Sequence, residues 1–174
     1  MQTKKIEQSI LKTLDKYRAK FALMSEVDFI RQPPIGGWSY SEVFAHIFDA
    51  SLLSLHAINN CSSGKAEDKP THFLVRAILW FGAFPPGKRY KVPKSLADRI
   101  TKISRIEAET LMNAVQKQLN LTASKVAHLD KHQKILHPRL GYLNGQQWFR
   151  FTEIHLNHHL KQLIRIEKSF SQRI

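Results

Sequence analysis

Nine histidines in a chain of 174 residues make metal ligation the first chemistry to consider. Three of them crowd one segment, His155-Leu156-Asn157-His158-His159. On a helix turning about 100° per residue, with Trp148 at the origin, His155 falls at about −20° and His159 at about +20°. Leu163 and Phe151 flank them at about +60° and about −60°, and His158 lies at the edge of this apolar face at about −80°. Two imidazoles one turn apart on an inward face can each give a ring nitrogen to one ion, and a third ligand must then come from another helix. His46 is the candidate. It shares a helical face with Val43, Ala50, Leu53 and Ala57, whereas His56 is rotated from it by about 80°. The small Ala50 and Ala57 let a neighbouring helix approach on that side. For each inward histidine the alternative is a buried ring with a satisfied hydrogen bond. His72, His128, His132 and His137 stand beside charged or turn residues and are expected in solvent. Of the nearby carboxylates, Glu42, Asp49 and Glu153 are expected to cap a helix or face water, with Glu153 turned outward.

The elements that must position these side chains read as helices. Ile6, Ile10, Leu11, Leu14, Tyr17, Phe21 and Leu23 recur at three- and four-residue steps, the stripe of an amphipathic helix that should fade before Gln32-Pro33. Ser39 followed by Glu42 predicts a capping box at the start of a second helix, with Ser41 as a rival cap and an end near Asn60. Lys65 to Pro70 is a charged loop, and Thr71 to Phe81 predicts a short apolar helix. Gly82, Pro85, Pro86, Gly87 and Pro93 mark an irregular crossing. A long helix is expected from Ser95 to about Leu119, with Leu96, Ile100, Ile103, Ile106, Leu111 and Val115 on its apolar side. A further short helix is expected over Ser124 to Leu136. His137-Pro138 breaks the chain, and Asn144 with Gln147 predicts the cap of a last helix ending near Phe170. No alternating strand stands out. The expectation is an all-α bundle of four long helices and one or two short ones, forming one domain over residues 1–174.

Composition narrows the function classes. The lone Cys61 excludes an intramolecular disulfide framework and a multi-thiolate zinc finger. The first twenty residues lack the apolar core of a signal peptide. The longest apolar run, Ala77 to Phe84, falls far short of the ~18 residues that span a bilayer, so a cytoplasmic protein without a membrane partner is expected. The 27 Lys and Arg outnumber the 14 Asp and Glu, for a net charge of +13. They concentrate at Lys88, Arg89, Lys91, Lys94, Arg99, Lys102 and Arg105, opposed there only by Asp98. Such a balance permits nucleic acid binding, but no helix-turn-helix or aromatic stacking platform accompanies it, and a solvated basic surface is the plainer reading.

The ordered motifs carry a resemblance. Trp38-Ser39, Glu42 and His46 precede His137-Pro138-x-Leu140-Gly141-x-Leu143, then Trp148, then His155-Leu156-x-His158-His159-Leu160-x-Gln162. In this order and helical setting the chain resembles the DinB/YfiT-like superfamily of metal-binding four-helix bundles, over about Trp38 to Gln162. The resemblance implies an up-down-down-up bundle and a divalent ion, zinc or nickel, on His46, His155 and His159. Gln162 recurs in the motif without an assigned role.

Three protein ligands leave a coordination position open, the pattern of a catalytic metal. Relatives in the superfamily include transferases and isomerases that use low-molecular-weight thiols, maleylpyruvate isomerase among them. The resemblance therefore implies a metal-dependent enzyme acting on a small-molecule substrate, with the metal activating a thiol. Such a thiol is anionic, so the basic Lys88–Arg105 stretch is a candidate to attract it, with a solvated face as the plainer reading. A metal-dependent hydrolase and a non-catalytic metal-binding or stress-response module are the alternatives. A homodimer is compatible with such a bundle.

Overall fold

The apolar stripes become four long helices packed side by side in the computed structural model, which describes residues 2–85 and 101–171. They are α1 (Gln2–Ala22), α3 (Tyr40–Asn60), α5 (Arg105–Val126) and α6 (Gly145–Ser171), with the short helices α2 (Glu26–Ile30) and α4 (Phe73–Phe81) between them. Their directions follow from side-chain contacts. Thr13 reaches Asn157 and Lys20 reaches Glu167, so α1 and α6 run the same way. Arg18 bonds Asn113 and Arg105 bonds the Phe21 carbonyl, so α5 opposes α1. Ser41 joins Ile103 just before α5, which makes α3 and α5 parallel. The result is an up-down-down-up bundle.

The stripe of α1 is buried at Ile6, Ile10, Leu14, Tyr17 and Phe21. Tyr17 stands edge-on to Phe44 and Phe48, and its hydroxyl donates to the Leu156 carbonyl at 2.9 Å. Each such fully buried large side chain contributes about 1.5–3 kcal/mol, so one aromatic cluster locks α1, α3 and α6 together. Leu23 lies beyond the end of α1 and is exposed. A separate short helix with Ser25 as its own cap then leads toward the prolines.

The capping box at the head of α3 is present: Ser39 Oγ accepts from the Glu42 amide, and the Glu42 carboxylate accepts from Ser39 N at 2.8 Å. Ser41 is not the cap; it is buried and bridges to Ile103. A second capping box, Ser104 with Glu107, starts α5. That helix therefore begins at Arg105, later than the expected Ser95. Residues 101–104 are irregular, and the expected first turns at 95–100 lie outside the described residues. Ile106 consequently faces solvent, while Ala108, Met112, Val115 and Leu119 are buried.

The expected short helix over Ser124 to Leu136 does not form. The chain leaves α5 at Val126 and makes an antiparallel hairpin of β1 (Lys134–His137) and β2 (Gly141–Asn144), pairing Lys134 with Asn144. Pro138 occupies the hairpin turn, where its missing N–H costs nothing in the ladder. Asn144 and Gln147 cap α6 as anticipated, each side chain accepting from the other's amide. Among the described residues no helix is long and apolar enough to cross a membrane.

Candidate metal centre

α3 and α6 lie against each other in opposite directions and bring three imidazoles to one point. The candidate ligand atoms of His46, His155 and His159 all lie within 4.8 Å of one another. The His46 ring centre is 5.3 Å from that of His155 and 4.9 Å from that of His159. His155 Nε2 and His159 Nε2 are 3.0 Å apart. Two imidazole nitrogens sharing one zinc at about 2.0–2.1 Å stand about 3.3 Å apart in a tetrahedral arrangement and about 2.9 Å apart at a right angle. The α6 pair thus already has a separation that ligation would use, and His46 brings a third imidazole from across the helix interface.

The donor set fits a cation in its chemistry too. Gln162 Oε1 is 2.8 Å from His159 Nδ1. An amide oxygen only accepts, so His159 Nδ1 carries the proton and Nε2 offers its lone pair toward His155 and His46. Burial pushes His155 well below the ordinary imidazole range, and the neighbouring His159 and His46 push it further. Burial, then His46 and His158, takes His159 down to about 3. His46 is lowered by burial, with Asp49 acting against the shift. All three rings are neutral at pH 7, the state a metal requires.

Aromatic side chains close around the triad. Trp38, just before the α3 cap, lies 5.1 Å from His46 and is stacked parallel to His159 at 6.2 Å. Phe151 stacks on His155 at 5.2 Å, and Phe84 stands edge-on to His155 and His158. His158 is placed at the rim, as its helical angle predicts, with its ring 5.2 Å from that of His159. His56, His72, His128 and His132 are exposed and apart from the centre.

Other expectations change. His137 is not a solvated histidine: its ring packs on Trp148 and Phe151, and its Nδ1 accepts the Arg139 and Leu140 amides, both at 3.1 Å. Glu153 is buried rather than outward. Its carboxylate pairs with Arg150, whose Nε donates to the Leu79 carbonyl at the end of α4. Glu42 is occupied by its capping role. Leu53, placed with His46 on one face, is 46% exposed, although Val43 and Ala57 on that face are buried. Most of the basic concentration, Lys88 to Arg99, lies outside the described residues. Its last member, Arg105, is structural: the guanidinium donates to the Phe21 and Met24 carbonyls and lies 4.1 Å over the Phe21 ring. Sequence reasoning missed the roles of Gln162, Trp38 and Phe84. Gln162 and Trp38 both stand in the ordered motif, whereas Phe84 carries no such signal.

Comparison with known proteins bears on the family and the fold. A family model described as the DinB superfamily matches residues 10–163. The fold is similar to that of YfiT from Bacillus subtilis, described as a probable metal-dependent hydrolase with an unusual four-helix bundle topology. That likeness has a TM-score of 0.66 at 13% identity, over 98% of this chain and 88% of the other. It is also similar to TT2238, described as a four-helix bundle protein, with a TM-score of 0.57 at 17% identity over 94% and 97% of the two chains. Comparison with curated proteins finds no match.

Proposed function

The chain belongs to the DinB superfamily, and from that premise we propose that it is a divalent-metal-dependent enzyme with His46, His155 and His159 as the metal ligands. The observation that carries this reading is the convergence of three neutral imidazoles from two antiparallel helices, one of them fixed in its tautomer by Gln162. Three protein donors leave room for a nucleophile or a substrate oxygen, as catalytic sites do. When bound, zinc or nickel would supply Lewis acidity and lower the pKa of a coordinated water or thiol.

The protein's own residues perform the remaining tasks. Gln162 holds the His159 ring in place through its Nδ1–H. Trp38, Phe84 and Phe151 keep water from the flanks of the triad and give a small-molecule substrate apolar surface to rest on. Of the carboxylates, Glu42 is committed to the α3 cap, Glu153 pairs with Arg150 on the far side of α6, and Asp49 lies close enough to His46 to act on its ring. The first two are not available as a general base. A thiol, with an unperturbed pKa of about 8.5, ionises near neutrality far more readily than water does, which favours thiol-dependent S-transfer or isomerisation. The second reading is hydrolysis, favoured by the description of YfiT as a probable metal-dependent hydrolase. A low-molecular-weight thiol cofactor fits a cytoplasmic setting, where thiols stay reduced.

The deciding experiment is elemental analysis of the purified protein beside His46→Ala and His159→Ala. About one divalent ion per chain is expected in the parent and far less in each variant. Equal metal in all three would end the assignment. Turnover screened with and without added thiol then separates transfer from hydrolysis. If a basic stretch steers the thiol, replacing Lys88, Arg89 and Lys91 with Ser weakens its binding in a salt-dependent manner.

A further inference from the structure

A second concavity lies on the opposite side of α6 from the histidines. It is a groove of about 750 Å³ between the start of α1, α4, the end of α5 and the first turns of α6. Its size falls within the roughly 300–1,000 Å³ range of small-molecule sites. Gln146, on its wall, precedes His155 by nine residues, or about 14 Å along the helix, and sits on the far face. The groove is therefore separate from the metal centre.

Its lining has one sign of charge. Arg76 on α4 and Lys131 after α5 contribute to it, and no Asp or Glu lines it among the described residues. Neither cation has an ion-pair partner among the described residues, and both are exposed. The carboxylates nearest in sequence to the two are already engaged: Asp130 accepts from the His132 amide, and Asp68 bonds His132 and Lys134. Glu153 neutralises Arg150, the third cation of the groove. Trp80 adds an indole that is 84% exposed, an unusual position for the largest apolar side chain. The side chains of Gln2 and Gln146 add amides that make no hydrogen bond to other described residues. Two cations without ion-pair partners on one concavity make its potential favourable to an anion, and an exposed indole offers a face for a planar ring.

We propose that this groove is a binding site for a small planar anion, an aromatic ring bearing a carboxylate, sulfonate or phosphate. The charged group lies between Arg76 and Lys131, and the ring lies against Trp80. The site stands whether or not the histidine triad holds a metal.

Heteronuclear NMR of the full chain tests it with two probes, anilinonaphthalene sulfonate and its uncharged parent N-phenylnaphthylamine. The sulfonate is expected to shift the Trp80 indole N–H and the side-chain amides of Gln2 and Gln146 while leaving His155 and His159 unmoved. The uncharged parent and the double variant Arg76→Gln, Lys131→Gln should each bind at least about tenfold more weakly, and added salt should weaken only the sulfonate. Equal binding of the two probes, undiminished binding by the double variant, or shifts confined to Phe73, Leu74 and Phe81 on the open face of α4 would overturn the proposal. A Lys131→Glu variant, changed only at an exposed loop position, repeats the charge test if the double variant is poorly folded; unchanged sulfonate binding there is equally fatal.

Discussion

Gln162 accepts a hydrogen bond from Nδ1 of His159 at 2.8 Å, one turn along the same helix. Outer partners of this kind orient a ligating imidazole and raise its basicity, and their loss weakens metal binding by about 10–100-fold. Gln162→Leu should therefore weaken affinity by that factor in a chelator competition while leaving the melting temperature of the metal-free protein nearly unchanged. Gln162→Glu, which keeps an acceptor oxygen, should retain most of the affinity.

A pH dependence follows from His137. Burial, with Arg139 nearby, lowers it to about 4, and its Nδ1 is already engaged by two backbone amides. The unfolded state takes up the proton near the ordinary imidazole value of about 6.5, whereas the folded state resists until about 4. Stability is thus full above pH 6.5 and falls as pH drops through that window, by about 3 kcal/mol for this residue. His137→Asn preserves an acceptor for the turn and removes the titration. Urea unfolding at pH 7 and pH 5 should show a smaller loss for the variant than for the parent.

Gly82 ends α4 with φ of +69°, and an added Cβ would collide with the Arg150 guanidinium that caps this helix end. Gly82→Ala should destabilise the protein by about 1–2 kcal/mol from backbone strain alone, and more if Arg150 cannot move aside. Denaturant titration of Gly82→Ala, alone and combined with Arg150→Ala, measures the two parts separately. The cost should shrink in the double variant.

Arg105 offers a test of structure against charge. Its guanidinium ties the end of α1 to the start of α5 through two carbonyls and the face of Phe21. Lysine has neither the planar fork nor the stacking surface, so Arg105→Lys should cost about 1–3 kcal/mol in denaturant unfolding although the net charge is unchanged. A neutral result would return Arg105 to the solvated basic surface.

Much of the scaffold was legible because it rests on periodicity and local hydrogen bonding. Three- and four-residue spacing placed Ile6 through Phe21 in the core, and the Ser39–Glu42 pair marked the head of α3 within one turn. The same angular reasoning brought His46, His155 and His159 together. What failed depended on distant neighbours. Lys134–His137 is four residues long and becomes a strand only through pairing with Gly141–Asn144, so its periodicity is too short to read. Glu153 reads as outward on α6 alone; in the bundle it is buried and Arg150 neutralises it. His137 beside a proline looked solvated until the hairpin folded its ring against Trp148.

The placement of the triad on two opposed helices bears on how the protein acquires its ion while it folds. His155 and His159 are neighbours as soon as one turn of α6 exists, whereas His46 stands roughly 110 residues earlier and arrives only when α3 docks. If the triad is the metal site, a refolding chain presents a weak two-nitrogen clamp before all three donors are together. Tight capture of cobalt, followed by its visible absorption, should report the last long-range docking event rather than the first formation of helix.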